Sequence, residues 1–140
     1  MTVPEVYRIL RRVTALRSRM DHYMSRIEEL ESLKTSIGTI LPKADIVQRS
    51  PEDGSRLEGI LIDIEEMQEK LRRAVAEWKD GIQDAEDLIN MIDSDTRKTV
   101  LELRFIHGMK WEDIAEKTGY TPEWVQRIKK RAIAEIARKC

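Results

Sequence analysis

Glu123, Gln126, Arg127 and Lys130 recur at three- and four-residue intervals near the carboxyl end, interleaved with Val125, Ile128 and Ala132. On a helix of 3.6 residues per turn, that spacing separates a polar face from an apolar one. The polar residue types suit one chemistry. Glutamate accepts from the cytosine amino group, glutamine pairs with adenine, and arginine forks onto guanine or a phosphate. Lys129, Lys130 and Arg131 read as phosphate contacts, which position a protein without reading sequence. Lys110 and the backbone N–H groups that open a helix at Trp111 offer a second place to hold a phosphate. The chemistry predicted for this stretch is therefore recognition of a double-stranded polyanion.

Such side chains need rigid elements beneath them. Thr121-Pro122-Glu123 has the form of a helix start: a capping hydroxyl, a proline at the first helical position and an acid at the positive end of the helix dipole. Gly119 is placed for a left-handed stop to a short helix over Trp111–Thr118. Asp93-Ser94-Asp95 caps an earlier helix that carries Val100, Leu101, Leu103, Phe105 and Ile106 and ends at His107-Gly108. Ile114 and Ala115 face inward from the first short helix, with Ala115 small where the two helices cross. Val125, Ile128, Ala132, Ile133 and Ile136 form the buried side of the last. The pattern predicts a three-helix helix-turn-helix domain over residues 93–140.

Residues 1–92 have a different character. From Pro4 to about Ser36, Val6, Val13, Met20 and Ile27 form one row at seven-residue spacing, and Ile9, Leu16, Tyr23, Leu30 and Ile37 form a second. Gly38 is a predicted stop, residues 38–49 a loop containing Pro42, and Ser50-Pro51-Glu52-Asp53 a new helix start. Leu57, Ile64, Leu71, Trp78, Ala85 and Ile92 then pair with Ile60, Met67, Ala74, Gly81 and Leu88. Leu61, Val75, Ile82 and Ile89 widen that stripe. The expected fold class is all-α: a long antiparallel, coiled-coil-like helical hairpin followed by the helix-turn-helix. Two such hairpins would bury more apolar surface than one, so the hairpin is expected to form a homodimer or engage a partner.

Charge is distributed to match. Residues 97–140 carry 11 Lys/Arg against 6 Asp/Glu, whereas residues 37–96 carry 7 against 15. An anionic partner is therefore expected at the carboxyl end. The single cysteine, Cys140, permits no intrachain disulfide. No apolar run approaches the roughly 18 residues of a membrane span, and the amino end lacks the pattern of a cleaved leader, so a cytoplasmic protein is expected. His22 and His107 have no partners at ligand spacing, and Glu28-Glu29 and Glu65-Glu66 read as solvated helix faces. Met20, Met24, Met67 and Met91 fit an apolar stripe. No metal, cofactor or catalytic constellation is predicted, and the chain is not expected to be an enzyme.

Arg97 to Ile136 reads R-x3-L-x2-R-F-I-x-G, then W-x-x-I-A, then G-Y-T-x3-V-x-x-I-x3-A-I-x-x-I. This stretch resembles sigma-70 region 4, in the style of the short phage-encoded ArpU-type late transcription regulators. Lys110 stands where such domains often carry a capping Ser or Thr, and Trp124 where arginine is common. The resemblance implies a phage or prophage transcription regulator with double-stranded DNA as ligand and RNA polymerase as a further partner. For Trp124 it leaves three roles open: packing in its own domain, contact with a thymine methyl, or docking onto the polymerase. Two other functions fit the same pattern: a small-terminase-like DNA-packaging subunit, and a sigma-like module that binds protein rather than DNA.

Overall fold

The computed structural model describes residues 1–40 and 51–140. Among these residues five α-helices follow in order: α1 (Val3–Ile40), α2 (Pro51–Ile89), α3 (Asp95–Leu101), α4 (Trp111–Thr118) and α5 (Pro122–Lys139). A π-helical turn, Glu102–Ile106, continues α3. No strand occurs among the described residues, and none of the helices there is long and apolar enough to cross a membrane. The fold is all-α, a long helix pair followed by a helix-turn-helix.

Two boundaries differ from those expected. Gly38 does not stop the first helix, because α1 runs on to Ile40. A glycine costs a helix about 1 kcal/mol relative to alanine, which alone does not end one of this length. The remainder of the expected loop, with the Ser50 cap, lies outside the described residues. α2 ends at Ile89 rather than Ile92, where the Met91 and Ile92 N–H groups turn back onto the carbonyls of Leu88 and Ile89 at 3.1 and 3.0 Å.

Met1–Ser18 and Ala76–Cys140 form one compact unit. Its larger core joins Val6, Leu10 and Val13 of α1, Ala85, Leu88, Ile89 and Ile92, Leu101 and Phe105, and Ala132, Ile133 and Ile136 of α5. The two long helices run antiparallel here: Arg12 meets Asp84 at 3.8 Å, a Cβ placed on Gly81 would lie 3.7 Å from both Val13 and Leu16, and Arg17 lies over Trp78. The position between residues 92 and 93, where composition changes, falls inside this unit. Leu10, which belongs to neither heptad row, is fully buried. Leu10 stands beside Ile9 and between Val6 and Val13, so all four pack into one core and the buried stripe is wider than a two-row seam.

Arg19–Val75 form the second unit. Leu30 packs with Ile60 and Ile64, flanked by Ile37 and Met67. Met24, Leu33, Leu61 and Ile62 are exposed, so Leu61 does not join the buried stripe that its spacing suggested.

In the first unit, the π-helical turn interrupts what the sequence reads as one regular helix. The His107 N–H reaches back five residues to the Glu102 carbonyl at 3.0 Å. Gly108 follows at φ +72°, and a Cβ there would sit 2.9 Å from Cδ of Arg17. Arg17 donates to the Ile106 carbonyl and lays its guanidinium over the Trp78 ring, 5.5 Å from the centre. Gly108→Ala is therefore expected to cost about 1–2 kcal/mol from the left-handed backbone alone, with more from displacing Arg17. Thermal melting would show a midpoint lower by several degrees; an unchanged midpoint would contradict this geometry.

Candidate nucleic-acid interface

The helix-turn-helix is held by its own small core. Val100, Ile114, Ala115, Val125 and Ile128 are buried together, with Leu103, Met109 and Trp111 at the margin. Ala115 and Ile128 are each 5% exposed, as the crossing of α4 and α5 requires small or well-packed side chains. Gly119 closes α4 at φ 77°, its N–H bonded to the Ala115 carbonyl. The Thr121 hydroxyl then accepts the Trp124 N–H at 3.2 Å, and Pro122 takes the first position of α5. Both punctuation marks expected from the sequence are formed. Lys110 occupies the cap position of α4 in extended conformation with no side-chain cap, so the N–H groups of that first turn are left for another acceptor.

With its apolar side packed, α5 presents Glu123, Arg127, Lys130 and Arg131 as exposed residues and Gln126 as half-buried. Helical spacing brings Glu123, Gln126, Arg127 and Lys130 onto one face. Trp124 stays 39% exposed, and the Arg131 guanidinium lies 5.6 Å from its ring centre. Lys110 is exposed beside the start of α4. Trp111 and Lys129 belong to a different group. Trp111 is half-buried and meets Phe105 edge-on, ring centres 6.2 Å apart. Lys129 is half-buried too, its ammonium 5.3 Å from the Trp111 ring centre.

One residue that the sequence reading passed over holds the frame. Glu135 is a buried carboxylate, 8% exposed. It accepts the Asp93 N–H at 3.2 Å and an Arg97 N–H at 3.0 Å, with the Lys139 ammonium 3.9 Å away. It thereby ties the residues that lead into α3 to the C-terminal third of α5. Its signal was present: Glu135 falls between Ile133 and Ile136, on the edge of the buried face. Lys139 also donates to Asp93 at 2.8 Å. That hydrogen bond, and then the lysine charge, hold the Asp93 carboxyl below its ordinary value. A depressed folded-state pKa means that this contact contributes above the unfolded value and is lost as pH falls through the folded one.

The described residues contain no group of three His, Cys, Asp or Glu placed to hold a metal ion. What the geometry offers instead is a capped, punctuated helix pair with a cationic outer face. No curated protein and no solved structure matches the chain. Residues 94–138 match the family model for sigma-70, region 4. That stretch runs from the Ser94 cap through α3, the π-helical turn and α4 to Arg138 of α5, and it is a sigma-70 region-4-like helix-turn-helix.

Proposed function

We propose that this chain is a DNA-binding transcription regulator that reads duplex DNA with α5. The observation that carries this reading is the exposed Glu123, Arg127 and Lys130 face, with Gln126 at its edge, on the last helix of a region-4-like fold. A helix of this width fits the major groove, where each base pair presents a distinct pattern of donors and acceptors. Glu123, Gln126 and Arg127 lie in the first two turns of α5, the part that reaches base edges. Lys130 and Arg131, further along, meet phosphates, and Lys110 at the start of α4 adds another. Trp124, exposed and covered on one side by Arg131, serves a contact with DNA or with RNA polymerase. The resemblance to short phage-encoded regulators supports a role at phage or prophage promoters. The apolar side chains left exposed in the second unit, Leu33, Leu61 and Ile62 among them, support a homodimer formed through the long helices.

Selection of bound duplexes from a randomised pool tests this directly. The wild-type chain is expected to enrich a defined site. Gln126→Ala is expected to relax the preference at one base pair, by about 1–3 kcal/mol of discrimination, and to leave the other positions intact. Recovery of no enriched sequence with either protein would sink the reading.

A further inference from the structure

Five side chains of the first unit stand in a row that alternates cations with aromatic rings. The Arg11 guanidinium carbon lies 4.7 Å from the centre of the Tyr7 ring. The Lys129 ammonium lies 5.6 Å from that ring and 5.3 Å from the ring of Trp111. The Arg104 guanidinium carbon is 4.9 Å from the Trp111 ring. These residues line a cleft of about 340 Å³ whose walls carry no carboxylate. Among the described residues, none of the three cations has an ion-pair partner.

We infer that this row is a second binding site, for the phosphodiester backbone of duplex DNA, and that α1 is thereby part of the DNA interface. Three positive charges gathered around one cleft repel one another, and two ring faces offset only part of that repulsion. Backbone phosphates, one negative charge each, would offset what remains. The geometry is built in advance: an Arg104 N–H donates to the Met109 carbonyl at 3.0 Å, which fixes that guanidinium fork. The π-helical turn Glu102–Ile106 decides where Arg104 falls, and such turns recur at functional sites. Each ring already has two cations within cation–π reach, so neither is free to stack a base. The site therefore meets backbone and carries no sequence preference. It adjoins the face proposed above through Gln126, which lies one turn before Lys129 on α5. Arg11 lies far outside residues 94–138, so the matched stretch does not account for it.

This inference rests on the DNA-binding reading, and its test separates the two. Affinity for a fixed duplex is measured against salt for wild type, Arg11→Gln, Lys129→Gln, the pair combined, and Arg127→Ala with Lys130→Ala. The expected result is a log–log slope shallower by about 0.9 for each cation removed from the row, the same for every duplex sequence, with Arg11→Lys restoring the wild-type slope and melting midpoints not lowered. If Arg127→Ala with Lys130→Ala flattens the slope while Arg11→Gln and Lys129→Gln do not, the second site is overturned and the DNA-binding reading stands. If wild type does not bind duplex DNA, both fall. Inorganic phosphate, titrated against the indole N–H resonance of Trp111, supplies the other arm. A shift at low millimolar phosphate, with DNA slopes unaffected by the two substitutions, would assign the cleft to a free anion and overturn the backbone assignment.

Discussion

Leu10→Ala is expected to remove roughly 2–5 kcal/mol of stability from the unit that holds the helix-turn-helix, although Leu10 lies far from it in sequence. Leu10 is fully buried, and the cluster that it joins includes Leu101, Phe105, Ala132, Ile133 and Ile136. Truncation removes three buried carbons and leaves a cavity between α1 and the inner face of α5 that neighbouring helices fill only in part. Urea unfolding followed by tryptophan fluorescence should show a lower midpoint with an unchanged slope. Val3→Ala, at a position of α1 that is 41% exposed, is the control and should change stability by no more than about 0.5 kcal/mol. Equal effects from the two substitutions would mean that residues 94–138 do not depend on α1 for their core.

Glu135→Ala is the second large effect, expected at roughly 2–3 kcal/mol. The substitution strands two groups together. The Asp93 N–H loses its acceptor, and the Arg97 guanidinium loses the carboxylate that faces it. Removal of one partner from a buried ion pair costs more than the pair was worth, because the remaining charge stays desolvated. The figure sits below the range for fully buried pairs because the Arg97 side chain is 33% exposed and water reaches it. The Asp93 N–H and the Arg97 guanidinium bond to different carboxylate oxygens, so Glu135→Gln keeps an acceptor for one of them and should lose about half as much. A melting series in which Ala and Gln behave alike would show that only the charge matters and that the hydrogen bond to Asp93 does not.

The helix-turn-helix was legible because its marks are local. Gly119 needs a left-handed backbone, Thr121 needs a free hydroxyl, Pro122 needs a first helical position, and each requirement is met within four residues of where it is written. The inward set Ile114, Ala115, Val125 and Ile128 follows from the same short-range spacing. The features that were not legible depend on distant partners. Leu10 joins a core that draws on α2 and α5 together, and a seven-residue row cannot express that. The π-helical turn depends on where Arg104, Phe105 and Trp111 settle against the remainder of the unit, and no residue type between Glu102 and Ile106 announces it. Lys129 is one of three consecutive cations, and only the Tyr7 and Trp111 rings on either side set it apart from Lys130. The polar face was legible as a helix face, but the contribution of α1 to the same unit depends on contacts distant in sequence.

The measurement that tests the central claim most directly is duplex binding as a function of salt, comparing the wild-type chain with Arg127→Ala combined with Lys130→Ala. Wild type should bind at low salt with log affinity falling steeply against log salt. The double substitution should flatten that slope by about one to two counterions and weaken binding across sequences. Absence of duplex binding by both proteins at low salt would contradict the account and turn the helix-turn-helix toward a protein partner, with RNA polymerase the first to test.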